Sequence, residues 1–136
     1  CRGAAADKAR QEGEAGYEAL IKANALYWQS KAMGEEAEKG KDLALATEAK
    51  RILRESDASY VMAQQRIAAF GSASVIKTMS EYYNQYTDAG KACENSSKFR
   101  ADVRIYQAIR STLGIGGSVS DEELATIVFR CKLQGG

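Results

Sequence analysis

The residues of this chain that could do chemistry are few: three cysteines, Cys1, Cys93 and Cys131, and no histidine at any position. Histidine is the usual general base and the commonest metal ligand, so its absence removes the ordinary routes to both roles. The cysteines have no C-x-x-C spacing for redox chemistry, and they are too few to fill a tetrahedral zinc site. A serine–lysine pair built on Ser80 or Ser97 has no distinctive spacing. We therefore expect a protein that is not an enzyme and that binds no metal or cofactor.

Two of the cysteines are expected to form a disulfide. Cys93 lies at the predicted end of the third helix and Cys131 at the end of the last one. Closing a loop of about 40 residues would stabilise the fold by about 4 kcal/mol in the chain-entropy model. This bridge would hold the short last helix, which has little area of its own to bury. The alternative is a pair of unconnected buried thiols, since free cysteine packs well in protein cores.

The charge pattern argues against nucleic acid as a partner. The net charge is +1, and the basic and acidic residues are interleaved rather than gathered into a basic stripe. Arg104 and Arg110, on the fourth predicted helix, are expected to be solvated. No apolar run approaches the roughly 20 residues that a membrane-spanning helix needs. Any association with a membrane would therefore depend on a covalent anchor or on a partner.

Helical periodicity dominates the chain, and the alternation that marks strands is missing. There is no proline to interrupt a helix from within. The predicted fold class is all-α, a four- to five-helix bundle with two long helices and a short disulfide-stapled C-terminal helix. Residues 1–16, rich in alanine and glycine, are predicted to be a tether or frayed helix. Residues 17–136 are predicted to form the helical bundle domain.

The first long helix is predicted from a face of mostly large side chains at helical spacing. Spacings of three, four and seven residues place the members of this face on one side of a helix: Tyr17, Leu20, Ile21, Asn24, Tyr27, Trp28 and Lys31. The polar stretch 33–42, with glycines at positions 34 and 40, is predicted to be the loop of a helical hairpin. One continuous helix with a kink is the alternative.

Capping signals divide the remainder of the chain into four helices. Asp42 is the predicted cap of the second long helix, and the third helix follows Ser72 or Ser74. Ser97, at the end of a polar link, is the predicted cap of the fourth helix. The strongest signal is the S-x-x-E capping box that begins at Ser120, flanked by apolar residues in the positions of a hydrophobic staple.

Two pairs of adjacent aromatic residues are candidate contacts for a protein partner. The pairs are Tyr27 with Trp28 on the first helix and Tyr82 with Tyr83 on the third. Aromatic residues at helical spacing usually belong to a core. Neighbours in sequence cannot both face inward fully, however, so one member of the second pair should be partly exposed. Exposed tyrosine and tryptophan are the side chains that most often anchor protein interfaces.

The start of the chain resembles a mature bacterial lipoprotein, in which the first residue is a cysteine and a short polar linker follows. The resemblance implies that Cys1 carries the lipid. It also implies that the protein faces the periplasm, anchored to the outer membrane. The residue after Cys1 supports the outer-membrane location. An aspartate there would signal retention in the inner membrane, whereas this chain has Arg2. The inner membrane stays open as an alternative.

A second stretch, residues 60–113, resembles an uncharacterised helical domain of bacterial membrane-anchored proteins. The runs AAFGSASVIKTMSEYY and DVRIYQAIRSTLG carry this resemblance, which implies a fold and an anchor but no chemistry. We therefore expect a non-enzymatic, lipid-anchored envelope protein that binds a protein partner. One alternative is a periplasmic immunity or inhibitor protein directed against a toxin or hydrolase. Another is a helical carrier of an apolar ligand, and the oligomeric state is left open.

Overall fold

The computed structural model describes residues 2–135, and the side chains of residues 3–135. This part of the chain forms five helices and no strand: α1 Arg2–Gly40, α2 Leu43–Phe70, α3 Ala73–Tyr86, α4 Ser96–Thr112 and α5 Asp121–Phe129. The all-α class and the two long helices are therefore confirmed. The predicted lipid attachment at Cys1 lies outside the described residues.

Helices α1 and α2 form an antiparallel hairpin joined by only two residues, Lys41 and Asp42. The Asp42 amide donates to the Ala37 carbonyl at 2.9 Å, and the Lys41 amide donates to the Glu38 carbonyl at 3.3 Å. This pair of bonds is the Schellman ending of a helix, with Lys41 in the left-handed region at φ +51°. Residues 2–70 therefore form a helical hairpin and not one continuous helix with a kink. The predicted loop over 33–42 is wrong, because α1 continues through Gly34.

The face of α1 that meets α2 is made of small residues. Ala9, Gly16, Ala23, Ser30 and Ala37 are all buried and recur every seven residues. A seven-residue repeat keeps one narrow seam of a helix against its partner over many turns, as in a coiled coil. Small side chains in that seam let the two backbones approach closely.

Hydrogen bonds across the hairpin show how close this approach is. Three serine hydroxyls donate to backbone carbonyls of the facing helix: Ser30 to Ala49 at 2.7 Å, Ser56 to Ala23 at 2.7 Å and Ser59 to Ala19 at 2.9 Å. A serine side chain is only two heavy atoms long, so such a bond requires the backbones to be nearly in contact. The seam is therefore held by small-residue packing and by these bonds.

The stripe of large side chains on α1 is not the face that packs against α2. Ile21, Tyr27 and Trp28 are exposed, whereas Tyr17 and Leu20 are half-buried against the core. The small residues of α1 face α2 because two helix backbones can approach closely only where the side chains between them are short. Residues 2–16, the predicted tether or frayed helix, lie in α1 with no break at residue 16. The division into 1–16 and 17–136 stays a prediction.

The hydrophobic core lies where the C-terminal part of α2 meets α3, α4 and α5. Its fully buried side chains include Ile67, Ile76, Val103, Leu124 and Ile127. Among the described residues, nothing between Leu20 on α1 and Ile67 on α2 belongs to this core. The turn end of the hairpin therefore extends beyond the hydrophobic core. It is stabilised by the contacts between α1 and α2.

The predicted caps are observed at three of four helix starts. Asp42, Ser72 and Ser120 each accept a hydrogen bond from the third residue beyond them, and the capping box at Ser120 is complete. The prediction at Ser97 is wrong, because the side chain of Asn95 caps α4 and accepts from the Lys98 amide at 3.2 Å. Asparagine is as good a cap as serine, and the helix starts where the first satisfied cap allows.

The disulfide between Cys93 and Cys131 is present, with the two Cα atoms 4.9 Å apart. Cys93 does not end α3 as predicted; it lies in the link between α3 and α4. A short parallel bridge lies beside the disulfide, in which the Cys93 amide donates to Lys132 at 2.8 Å and Lys132 donates to Lys91 at 2.7 Å. The C-terminal segment is thus fixed to the link by covalent and backbone bonds together.

Arg110 is buried, with 4% of its surface exposed, and the prediction that it is solvated is wrong. Its Nη1 donates to the carbonyls of Ala68 and Gly71, at 3.2 and 2.7 Å. These carbonyls lie at the C-terminal end of α2, where the helix dipole favours a cation. Burial lowers the pKa of this guanidinium from its ordinary value, while the nearby Tyr17 opposes the shift. The role of Arg110 is therefore to bond the end of α2 to α4.

Candidate aromatic groove

A surface cleft of about 780 Å³ lies between α1 and α3, with α2 beneath it. Within residues 2–135, α1 and α3 do not pack against each other directly, and this separation leaves the cleft open. We name it the aromatic groove. It is lined by Leu20, Ile21, Asn24, Tyr27, Trp28, Asp57, Tyr60, Thr78, Met79, Tyr82, Tyr83, Tyr86, Thr87 and Arg130.

The structure brings all four predicted partner-contact residues to this one groove. Trp28 is 57% exposed, Tyr82 is 56% exposed, and Tyr27 is also exposed. Tyr83 is only 5% exposed, and its hydroxyl accepts a hydrogen bond from Gln64 on α2 at 3.0 Å. Tyr83 therefore forms part of the wall, while the rings of the other three are exposed to solvent. The expected split of the second pair is observed, with Tyr82 outward and Tyr83 inward.

Some residues that line the groove were not predicted from the sequence. Tyr86 is one of them, and it is exposed beside Tyr82. The signal was available, because residues 82 and 86 are one turn apart and lie on the same side of α3. Arg130 was missed for a different reason. It follows the last helix, far in sequence from the aromatic residues, and only the tertiary fold brings it to the groove.

The rings of the groove are arranged in small clusters. Tyr27 and Trp28 meet edge to face with centroids 5.4 Å apart, and Tyr82 lies 5.1 Å from Tyr86 in a tilted pair. The ammonium of Lys31 lies 5.3 Å from the centroid of the Trp28 ring, in cation–π geometry. Contacts of both kinds are weakly attractive. The exposed rings are therefore held against their neighbours within the groove.

Tyr60 forms the floor of the groove on α2. Its hydroxyl donates to Oδ1 of Asn24 on α1 at 3.3 Å, so it also connects the two hairpin helices. Partial burial raises the pKa of Tyr60 above its ordinary value, with smaller contributions from neighbouring tyrosines. The phenol is therefore neutral at physiological pH. Asp57, one turn away on the same helix, is the one carboxylate among the lining residues.

Arg130 closes the end of the groove nearest the core. It caps α5 in the left-handed region, at φ +53° and ψ +46°. Its guanidinium carbon lies 5.0 Å from the centroid of the Tyr83 ring. Within residues 3–135 no carboxylate lies within ion-pair distance of Arg130, and Asp57 is likewise unpaired. The lining of the groove therefore combines aromatic rings with one cation, Arg130, and one carboxylate, Asp57.

Residues 2–135 contain no group of three or more acidic, cysteine or histidine side chains placed to hold a metal ion. None of the five helices combines the length and the apolar character required to cross a bilayer.

No protein-family model matches the chain, and neither a curated protein nor a solved structure shows significant similarity to it.

Proposed function

We propose that this protein is a non-enzymatic binding protein that takes a protein partner in the aromatic groove. The observation that carries the proposal is the cluster of exposed rings on one side of the molecule, formed by Tyr27, Trp28, Tyr82 and Tyr86. Contiguous exposed apolar surface is uncommon on a monomeric protein and often marks an interaction site. Tyrosine and tryptophan are also the residues that contribute most to binding energy at protein interfaces.

The shape of the groove supports the same proposal. Helices border it on two sides, and such grooves accept an amphipathic helix or a short apolar segment. An apolar-ligand carrier would instead need an enclosed cavity, whereas the rings here open to solvent. The immunity or inhibitor alternative is a special case of protein binding, in which the partner is an enzyme whose activity falls on binding.

Site-specific photocrosslinking in the native cell tests the proposal. A photoreactive phenylalanine analogue replaces Trp28 in one variant and Val61 in a matched control. Val61 is an exposed apolar residue of α2 that does not line the groove. We expect a covalent adduct with another protein from position 28 and none from position 61. A Tyr82→Ala change should weaken the adduct, because Tyr82 is exposed and contributes to the groove rather than to the core.

The proposal fails if position 28 gives no protein adduct, or if positions 28 and 61 give the same adducts. An adduct of small-molecule mass would favour the carrier instead. If the captured protein is an enzyme that this chain inhibits, the immunity alternative is the specific form of the function.

The envelope address stays a prediction from the sequence. The intact mass of the gene product, extracted from its native membrane, tests the acylation of Cys1 directly. Attached acyl chains would support a lipid anchor and a periplasmic position at the outer membrane. An unmodified Cys1 would exclude the lipid anchor and the location inferred from it, but the proposal that the groove binds a protein would still stand.

A further inference from the structure

We infer that Arg130 anchors a carboxylate of the partner, next to an apolar side chain that lies among the rings of the groove. This inference rests on the proposed function and specifies the partner chemistry. The first reason is charge. Arg130 is the one cation among the residues that line the groove, and Asp57 is the one carboxylate. No carboxylate of residues 3–135, Asp57 included, forms an ion pair with Arg130. A guanidinium presents its donors in a planar fork that matches a carboxylate.

The second reason is the backbone conformation of Arg130. The left-handed region at the end of a helix is normally occupied by glycine, because a side chain there costs free energy. This chain has an arginine at φ +53° instead. Lys41 in the hairpin turn has the same conformation, so the left-handed backbone by itself marks only the end of a helix. Residue 130 differs in where its side chain lies. The conformation of residue 130 directs its side chain over the Tyr83 ring and into the groove.

The third reason is the rigidity of the surroundings. The next residue is Cys131, whose disulfide to Cys93 joins this end of the chain to the α3–α4 link. The Arg130 amide donates to the Thr126 carbonyl at 3.0 Å, which fixes the residue to α5. The backbone from which the Arg130 side chain extends is therefore fixed before an anion binds. Preorganisation of this kind raises affinity by lowering the entropy cost of binding.

A matched pair of dipeptides tests the inference. The probes are acetyl-leucyl-phenylalanine, which has a free carboxylate, and the same compound with a C-terminal amide. The protein has a single tryptophan, so the indole N–H signal of Trp28 in a ¹H–¹⁵N NMR spectrum reports on the groove without ambiguity. We expect the carboxylate to bind about 3- to 10-fold more tightly than the amide, as a charge-assisted bond to a partly exposed arginine would give.

Three variants separate recognition from stability. Arg130→Gln should abolish the preference for the carboxylate. Arg104→Gln, which removes the same charge from an exposed site of α4 outside the groove, should retain it. Arg130→Gly adopts the left-handed conformation without strain, so it should lose the preference while the denaturation midpoint does not fall. If Arg130 acted only as a structural contact for Tyr83, Arg130→Gly would lower the midpoint and affect both probes equally.

Equal affinities for the two probes in the wild-type protein would overturn the inference, as would a preference that survives in Arg130→Gln. Absence of any Trp28 shift at about 10 mM carboxylate, a concentration at which such fragments normally bind a matching site, would overturn it too. The photocrosslink from position 28 keeps the two proposals apart. An adduct that forms equally well in wild type and Arg130→Gln would uphold protein binding and reject the role of Arg130.

Discussion

Adding one methyl group to the small-residue seam of the hairpin should destabilise the protein, although the same change elsewhere on α1 should stabilise it. The test pair is Gly16→Ala in the seam and Gly34→Ala outside it. A Cβ atom built on Gly34 meets nothing within 4 Å. Replacing glycine by alanine in a helix interior gains about 0.5 to 1 kcal/mol. Gly34→Ala should therefore raise the free energy of unfolding by about that amount.

The same atom built on Gly16 would lie 3.0 Å from Cγ1 of Ile67, 3.1 Å from Cβ of Arg66 and 3.3 Å from the Ile67 amide nitrogen. Ile67 is fully buried in the core and cannot rotate aside, so α2 must move. Overpacking of this kind costs about 1 to 3 kcal/mol. The helix-propensity gain is common to both variants. The difference between their unfolding free energies should therefore equal the steric cost, about 1 to 3 kcal/mol.

Urea denaturation followed by far-UV circular dichroism measures this difference, provided that the two variants have equal denaturant slopes. Equal slopes show that the change lies in the native state. Close packing of α1 against α2 at Gly16 would be contradicted if Gly16→Ala gained as much stability as Gly34→Ala. That result would mean that α1 and α2 lie farther apart than the serine hydrogen bonds require.

Four further changes test other parts of the structure, each by urea denaturation. Lys41→Gly should stabilise the protein by about 1 kcal/mol, because glycine relieves the left-handed strain of the hairpin turn. Arg110→Ala should cost about 3 kcal/mol, since it leaves two buried carbonyls unpaired; a loss below 1 kcal/mol would contradict this role. Reduction of the Cys93–Cys131 bridge should lower stability by about 4 kcal/mol. Glu123→Gln should cost about 1 kcal/mol at pH 7. Burial raises the pKa of Glu123, but bonds from Ser120 and the contact with Lys77 outweigh it and the net pKa is lowered. The wild-type advantage should therefore disappear as pH falls through the lowered pKa, and an advantage that persisted at the lowest pH would contradict it.

Local signals were sufficient for most of the secondary structure. Caps act within three or four residues, and Asp42, Ser72 and Ser120 could therefore be identified from the sequence. The error at Asn95 arose from choosing among several good caps within one polar link. The left-handed conformation of Lys41 could not have been foreseen, because Gly40 stands one residue earlier at the position that looked suited to the turn.

The candidate site was only partly predictable. Adjacent aromatic residues on a helix cannot all be buried, and this rule correctly separated Tyr82 from Tyr83. The rule says nothing about which residues of other helices lie beside them. Tyr60 on α2 and Arg130 after α5 join the groove through long-range packing, for which a single sequence has no signal.

The amino-acid sequence alone was enough to predict the helical class, three of the four capped helix starts and the Cys93–Cys131 bridge. These features depend on composition, periodicity and short-range hydrogen bonds. The tertiary structure decided which face of α1 is buried. Periodicity favoured the stripe of large side chains that includes Trp28, whereas the fold placed Ala23 and Ser30 against α2. Small residues allow two backbones to approach closely, a gain that depends on the partner helix. The aromatic stripe was therefore left on the surface, where it forms the groove.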